Sequence, residues 1–189
     1  MKIYICKTEQ MNTADFDFLL QFVSAQKRER ILRQRNRQTA RGMLAGELLA
    51  KAAVRDEFGI PVREQKLAYT AGGKPYLEDF PHVHFSISHS GGYAACAAAN
   101  VPVGIDIQKM YGKFTPELAA RVCTAAEADE ISESADKISA FTKIWTQKEA
   151  AVKMCGCGIA AGDIKNCTKN KNIRSLRVGD YWLSVCVGG

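Results

Sequence analysis

Residues 83–108, VHFSISHSGGYAACAAANVPVGIDIQ, decide how the chain is organised. Residues 83–90 and 93–99 read as two paired strands, and Gly91-Gly92 between them is a hairpin signal. Asn100-Val101-Pro102 then interrupts the pattern and marks a junction. Residues 103–108 predict a further strand, so one half of the chain closes here and another opens.

Working outward, the first half starts with an alternating strand at 2–6 and a helical stretch at 14–23. Its main helix, 41–58, is rich in Leu, Ala and Glu and stops at Gly59-Ile60-Pro61. A short strand at 67–70 and a turn at 71–75 come next. The second half holds helical segments at 116–122 and 125–132 and a longer helix near 135–155, with Gly158-Ile159 as its stop. A Lys- and Asn-rich turn at 165–172 precedes a last strand at 181–187. This repeated order predicts an α+β fold of two similar α/β halves, residues 1–101 and 102–189. A pseudo-twofold would relate them, with the active site in the groove between.

A chain of 189 residues, 47% hydrophobic and 24% charged, has the composition of a folded domain and not of a disordered segment. Its longest apolar run, Tyr93–Ala99, is far too short to span a bilayer, and the first residues carry no signal-peptide core. The expected setting is the cytoplasm. Seven cysteines, an odd number without framework spacing, read mostly as small buried apolar residues. Cys155-x-Cys157 has no partner pair with which to form a zinc site. The net charge of +6 points to acidic partners: nucleic acid, a phosphorylated small molecule or an acidic protein.

Four groups of residues could carry chemistry. On the strand at 103–108, alternation sets Gly104, Asp106 and Gln108 on one face, where the oxygens of Asp106 and Gln108, beside a glycine that leaves room, could meet a hard cation such as Mg²⁺. On the long helix, Trp145, Glu149 and Lys153 share a face at i, i+4 and i+8. In 85–90, Phe85, Ile87 and His89 face one way and Ser86, Ser88 and Ser90 the other. A His–Ser nucleophilic pair from adjacent residues is therefore disfavoured, and no G-x-S-x-G elbow is present. The Gly72-Gly73-Lys74-Pro75 loop offers backbone groups and a cation but is no Walker A motif. Taken singly, these read equally as a polar strand face, a surface ion pair, a structural histidine and an ordinary turn.

In this order and spacing, Gly73-Lys74-Pro75, FSISHS at 85–90, VGIDI at 103–107 and Trp145-x-x-Lys148-Glu149-x-x-x-Lys153 together resemble the 4′-phosphopantetheinyl transferase superfamily. The likeness is to its Sfp-like, single-chain pseudo-dimer branch and covers nearly the whole sequence. It implies transfer of the phosphopantetheine arm of coenzyme A to a serine of an apo acyl or peptidyl carrier protein, releasing 3′,5′-ADP. It also implies Asp106 and Glu149 as Mg²⁺ ligands, with Lys153 on the pyrophosphate and Glu149 as general base. His89 would meet the 3′-phosphate, with Ser88 near the phosphates, and Lys74 and Pro75 would lie at the adenine end. The basic run at 27–41, seven Lys or Arg against Glu29 alone, is expected as a basic helix that binds coenzyme A, since it matches a family stretch that reaches the phosphates, here through Lys27, Arg30 and Arg41.

One departure stands out. The Sfp-like branch usually has an acid where this chain has Gln108, which predicts weaker, water-mediated metal binding there. Glu127 matches another family acid, and both a site role and a structural role stay open for it. By resemblance alone, the segment at 122–138 lies near the carrier-docking surface. An internal pseudo-dimer needs no partner copy, so a monomer is expected. Two alternatives share the sequence: an inactive homologue that binds coenzyme A or a carrier protein, and a nucleic-acid-binding module using 27–41. The latter lacks both a known motif and aromatic residues within the run.

Overall fold

The computed structural model describes residues 1–110, 115–156 and 164–189. In chain order these form β1 (Lys2–Lys7), α1 (Thr13–Leu19), α2 (Ala25–Leu32), α3 (Arg37–Phe58), β2 (Leu67–Tyr69), β3 (Pro75–Leu77), β4 (His84–Ser90) and β5 (Tyr93–Ala99). They continue with β6 (Val103–Lys109), α4 (Pro116–Val122), α5 (Ala125–Glu133), α6 (Lys137–Cys155), β7 (Asn172–Val178) and β8 (Tyr181–Val187). Two antiparallel three-stranded sheets, β1-β5-β4 and β6-β8-β7, carry the mixed α/β fold, and β2 pairs with β3 beside them.

The hairpin forms as its glycines predict: β4 and β5 pair from His84↔Ala99 to Ser90↔Tyr93, and Gly91 takes a positive φ of 50°. The main helix begins earlier than expected because the Asn36 side chain caps it, accepting the Thr39 N–H, and it stops at Gly59 as predicted. The expected stop of α6 is corrected. The helix ends at Cys155 with Gly156 in the left-handed region, φ 72°, while Gly158-Ile159 lies outside the described residues. The helix expected in the basic run is present as α2, and two strands escape the sequence reading: β3, three residues long, and β7, which comes directly after the Lys- and Asn-rich turn.

β5 explains its own composition. Cys96 and Ala98 pack under α3 with Ala50, Ala53 and Val54, while Ala95, Ala97 and Ala99 pack against Val103, Ile105, Ile107, Leu183 and Val185 of the other sheet. A strand covered on both faces has room only for small side chains. α3 approaches the first sheet closely through Gly42 and Gly46, one turn apart. A Cβ on Gly42 would lie 2.8 Å from the His89 ring, and one on Gly46 2.5 Å from Ile87. On the far side α6 covers the second sheet, with Met154 against Cys186 and Thr146 bonded to Ser184 at 2.8 Å. The layers therefore run α3, first sheet, second sheet, α6.

The two sheets are stitched along one line. Ser86, Ser88 and Ser90 of β4 accept the backbone N–H groups of Ile105, Ile107 and Lys109 at 3.1, 3.2 and 3.1 Å. The outer edge of β6 is thereby satisfied by hydroxyls in place of another strand.

Candidate active site

At the middle of this seam three elements meet. β6 turns Asp106 toward α6; α6 brings Glu149 and Lys153, one turn apart; β4 sends Ser88 across. Lys153 Nζ donates to Asp106 Oδ1 at 2.6 Å and to Ser88 Oγ at 3.0 Å. Ser88 Oγ donates to Asp106 Oδ1 at 2.6 Å and accepts from Ile107 N–H, so the hydroxyl uses its proton and both lone pairs. Asp106 is buried, and its other oxygen, Oδ2, has no hydrogen-bond partner among the described residues.

Glu149 lines a cavity of about 230 Å³ together with Gly72, Gly73, Lys74, Pro75 and Lys153. Burial pushes its carboxyl above the ordinary range, the charge of Asp106 pushes it further, and Lys153 opposes both. Two carboxylates thus share one ammonium in a confined space, which leaves room for an added positive charge.

Cationic groups gather on the neighbouring side. Burial lowers the His89 imidazole, and Lys153 and Lys27 lower it further. Burial also lowers the Lys27 ammonium, with Glu47 opposing and Arg30 adding to the fall. Lys27 and Arg30 both stand over the Tyr69 ring, 5.8 and 5.6 Å from its centroid. Cations that repel one another across a partly buried surface suit an anionic ligand.

Lys74 has a firm partner: its Nζ donates to the Met154 carbonyl, in the last turn of α6, at 2.7 Å. A Cβ on Gly72 would come within 2.9 Å of the Gly156 carbonyl, so the glycine loop nests on the end of that helix. Of the expected residues, Glu149, Lys153, Lys74 and Pro75 line the Glu149 cavity, while Gln108, His89 and Arg41 line others. Gln108 lines an adjacent polar cavity of about 470 Å³ with Asn36, Gln38, His89 and Lys109. Arg41 lines a depression between α1 and α3 with Phe16, Asp17 and Arg37.

Family models match the chain over both parts: "4′-phosphopantetheinyl transferase, N-terminal" at residues 10–101 and "4′-phosphopantetheinyl transferase superfamily" at 102–185. A 4′-phosphopantetheinyl transferase of Bacillus subtilis is 31% identical over 163 residues, which is 85% of this chain and 72% of that protein. The chain belongs to the 4′-phosphopantetheinyl transferase superfamily. The transferase Sfp of Bacillus subtilis strain 168 is 28% identical over the same shares of each chain. The mouse L-aminoadipate-semialdehyde dehydrogenase-phosphopantetheinyl transferase is 30% identical over 97% of this chain and 64% of its own.

In this phosphopantetheinyl transferase family member Gly104 has other work than the sequence reading gave it, and Glu127, whose role that reading left open, finds structural partners. Gly104 leaves no room for a cation. A Cβ there would lie 2.0 Å from the Ala150 carbonyl and 2.4 Å from the Met154 nitrogen, so the glycine lets α6 press backbone to backbone on β6. Glu127 is structural here: it caps α5, accepting the Thr124 N–H at 2.7 Å, and pairs with Lys148 at 2.9 Å. Lys148 has no exposed surface and also donates to the carbonyls of Ile164 and Lys165. The Trp-x-x-Lys-Glu signature thus splits into an anchoring Lys148 and a cavity-facing Glu149, while Trp145 stacks 6.4 Å from Phe141 in the adjoining core. Ser86 and Ser90, read only as polar neighbours of His89, are the stitches of the seam. Cys96, Cys123 and Cys186 are buried free thiols, and Cys157 falls outside the described residues. No helix is long and apolar enough to cross a membrane among the described residues.

Proposed function

We propose that this protein transfers the 4′-phosphopantetheine group of coenzyme A to a serine of an apo acyl or peptidyl carrier protein, with Mg²⁺, releasing 3′,5′-ADP. One observation carries the reading: Asp106, Lys153 and Ser88 are locked together within 3.0 Å beside Glu149.

The residues present fit a divalent ion. Asp106 keeps a buried oxygen without a partner, and Glu149 is a carboxylate short of positive charge. Mg²⁺ is commonly held by one or two carboxylates plus waters and phosphate oxygens, a donor set that two carboxylates can supply. Asp106 and Glu149 would hold it, with Gln108 reaching it through water. When bound, the ion would neutralise pyrophosphate charge and polarise the β-phosphoryl group.

The chain's own groups do the rest. Lys153 leaves its bond to Asp106 to meet the pyrophosphate, and Ser88 keeps the Asp106 carboxylate in place. His89, Lys27, Arg30 and Arg41 supply positive charge to the phosphates, and the loop with Lys74 and Pro75 borders the adenine end. Glu149 takes the proton of the carrier serine as its oxygen forms a bond to the β-phosphorus. The bond from that phosphorus to the bridging oxygen breaks, and 3′,5′-ADP departs with the electron pair. Residues 1–101 and 102–189 would be two halves about a pseudo-twofold, each with a three-stranded sheet and a long helix, the site lying in the groove between them. The net charge of +6 favours encounter with an acidic carrier. A monomer in the cytoplasm is the corresponding state, with neither nucleic acid nor membrane as partner.

Intact-mass spectrometry of an apo carrier protein after incubation with this protein, coenzyme A and Mg²⁺ is the test. A phosphopantetheine-sized gain, lost with EDTA and with Asp106→Ala, is the expected result. No gain on several carriers, with coenzyme A still bound, would replace the proposal by the inactive binder.

A further inference from the structure

Outside the centre just described, Glu47 of α3 is the one acid among the described residues that is fully buried, at 1% exposure. Its neighbours on the same helix face are buried Met43, Leu44 and Ala50 and, one turn on, Lys51, and among the apolar ones an ionised carboxylate is costly unless it has work to do. Its Oε1 accepts the backbone N–H of Ser24 at 3.0 Å and lies 3.2 Å from Lys51 Nζ. Lys51 Nζ in turn donates to the Phe22 carbonyl at 2.7 Å. The pair therefore grips the main chain on both sides of Val23.

The basic helix α2 starts immediately after that grip. Ser24 is its N-cap, and the Ser24 Oγ accepts the N–H of Lys27 at 3.3 Å. α2 buries only Ile31, so apolar packing does little to fix its direction. Lys27 and Arg30, nearly one turn apart on it, stand over Tyr69. The second Glu47 oxygen, Oε2, is buried without a hydrogen-bond partner among the described residues. Its charge is thus left to act on Lys27, where it opposes the loss of basicity that burial causes.

We infer that Glu47 is a positioning residue for phosphate recognition: it pins the start of α2 so that Lys27 and Arg30 are held over Tyr69 toward the phosphates of coenzyme A. The inference rests on the reading that these cations meet coenzyme A. Glu47 itself touches no ligand. It acts through Lys27, so its loss weakens coenzyme A binding and not the chemical step.

Calorimetric titration of coenzyme A, with steady-state kinetics beside it, tests this in Lys27→Met, Glu47→Gln and the double variant. Glu47→Gln keeps an acceptor for Ser24 N–H while removing the charge. Lys27→Met is expected to weaken coenzyme A binding about tenfold. Glu47→Gln is expected to weaken it about fivefold, raising KM for coenzyme A with kcat kept within about twofold. In the double variant the loss exceeds that of Lys27→Met by less than about twofold, because the second change acts through a side chain already gone. Should Glu47→Gln fail to fold, Lys51→Met loosens the same grip from the other side of Val23 and is expected to raise the same KM. Wild-type affinity both in Glu47→Gln, which keeps the Ser24 bond, and in Glu47→Leu, which breaks it, or losses that multiply in full, would overturn the inference while leaving the proposed function standing. Wild-type affinity in Lys27→Met would instead overturn the phosphate assignment on which the inference rests.

Discussion

At the scale of single residues, the closest approach among the described glycines is at Gly104, where a Cβ would lie 2.0 Å from the Ala150 carbonyl of α6. Gly104→Ala forces that helix off β6 and moves Glu149 and Lys153 with it. We expect a stability loss of about 1–3 kcal/mol, read as a fall in the urea midpoint, and a loss of activity larger than that loss explains. Full activity at unchanged stability would show that the helix can shift at no cost. Gln108 poses the opposite case, since it lines the polar cavity beside His89. Gln108→Glu restores a negative charge next to Asp106 and is expected to lower the Mg²⁺ concentration for half-maximal rate; an unchanged or raised requirement rejects this.

Among the elements, the seam between β4 and β6 separates structure from chemistry in neighbouring serines. Ser86→Ala leaves the buried Ile105 N–H without its acceptor, a loss of about 1–3 kcal/mol, and removes no hydrogen bond from the charged cluster, although Ser86 borders the Glu149 cavity. Ser88→Ala removes the same kind of stitch and also two bonds inside the charged cluster. Thermal melts are therefore expected to fall by similar amounts, while kcat falls markedly only for Ser88→Ala. Equal kcat losses would make the seam a single mechanical unit. The strand pattern at 85–90 was legible in sequence down to which side chains share a face. The use of the serines was not, because it depends on a second strand whose place only packing sets.

For the whole molecule, burial next to lysines holds two histidines below their ordinary value. His89 sits by Lys153 and Lys27, and His84 is lowered by burial, then Lys74 and His82. Their unfolded forms take up protons from about pH 6.5 downward while the folded forms resist. The stability they contribute is complete above that pH and is lost as pH falls toward the lowered folded values. Glu149 works in the reverse sense: raised above 4.5, its contribution is present below that pH and fades as pH rises through the folded value. The comparison of wild type with His89→Asn isolates the histidine. The melting temperature of the variant is expected to decline less between pH 7.5 and 5.5. Parallel curves would show that His89 keeps its ordinary basicity.

The residue pattern by itself determined most of the strand–helix order, the hairpin at Gly91-Gly92, the stop at Gly59 and the shared helix face of Glu149 and Lys153, while the pairing of Asp106 with that face came from the family resemblance. All but that pairing rest on local periods and backbone preferences that each segment carries alone. The stop at Gly156, the existence of β3 and β7, and the second life of Lys74 as a cap on α6 were decided only by tertiary structure. So were the serine stitches, the anchoring of Lys148 by Glu127 and the grip of Glu47 on Ser24. In each of these a polar group is satisfied by a partner far along the chain. A periodic pattern records which face is buried, but it does not record which donor arrives there.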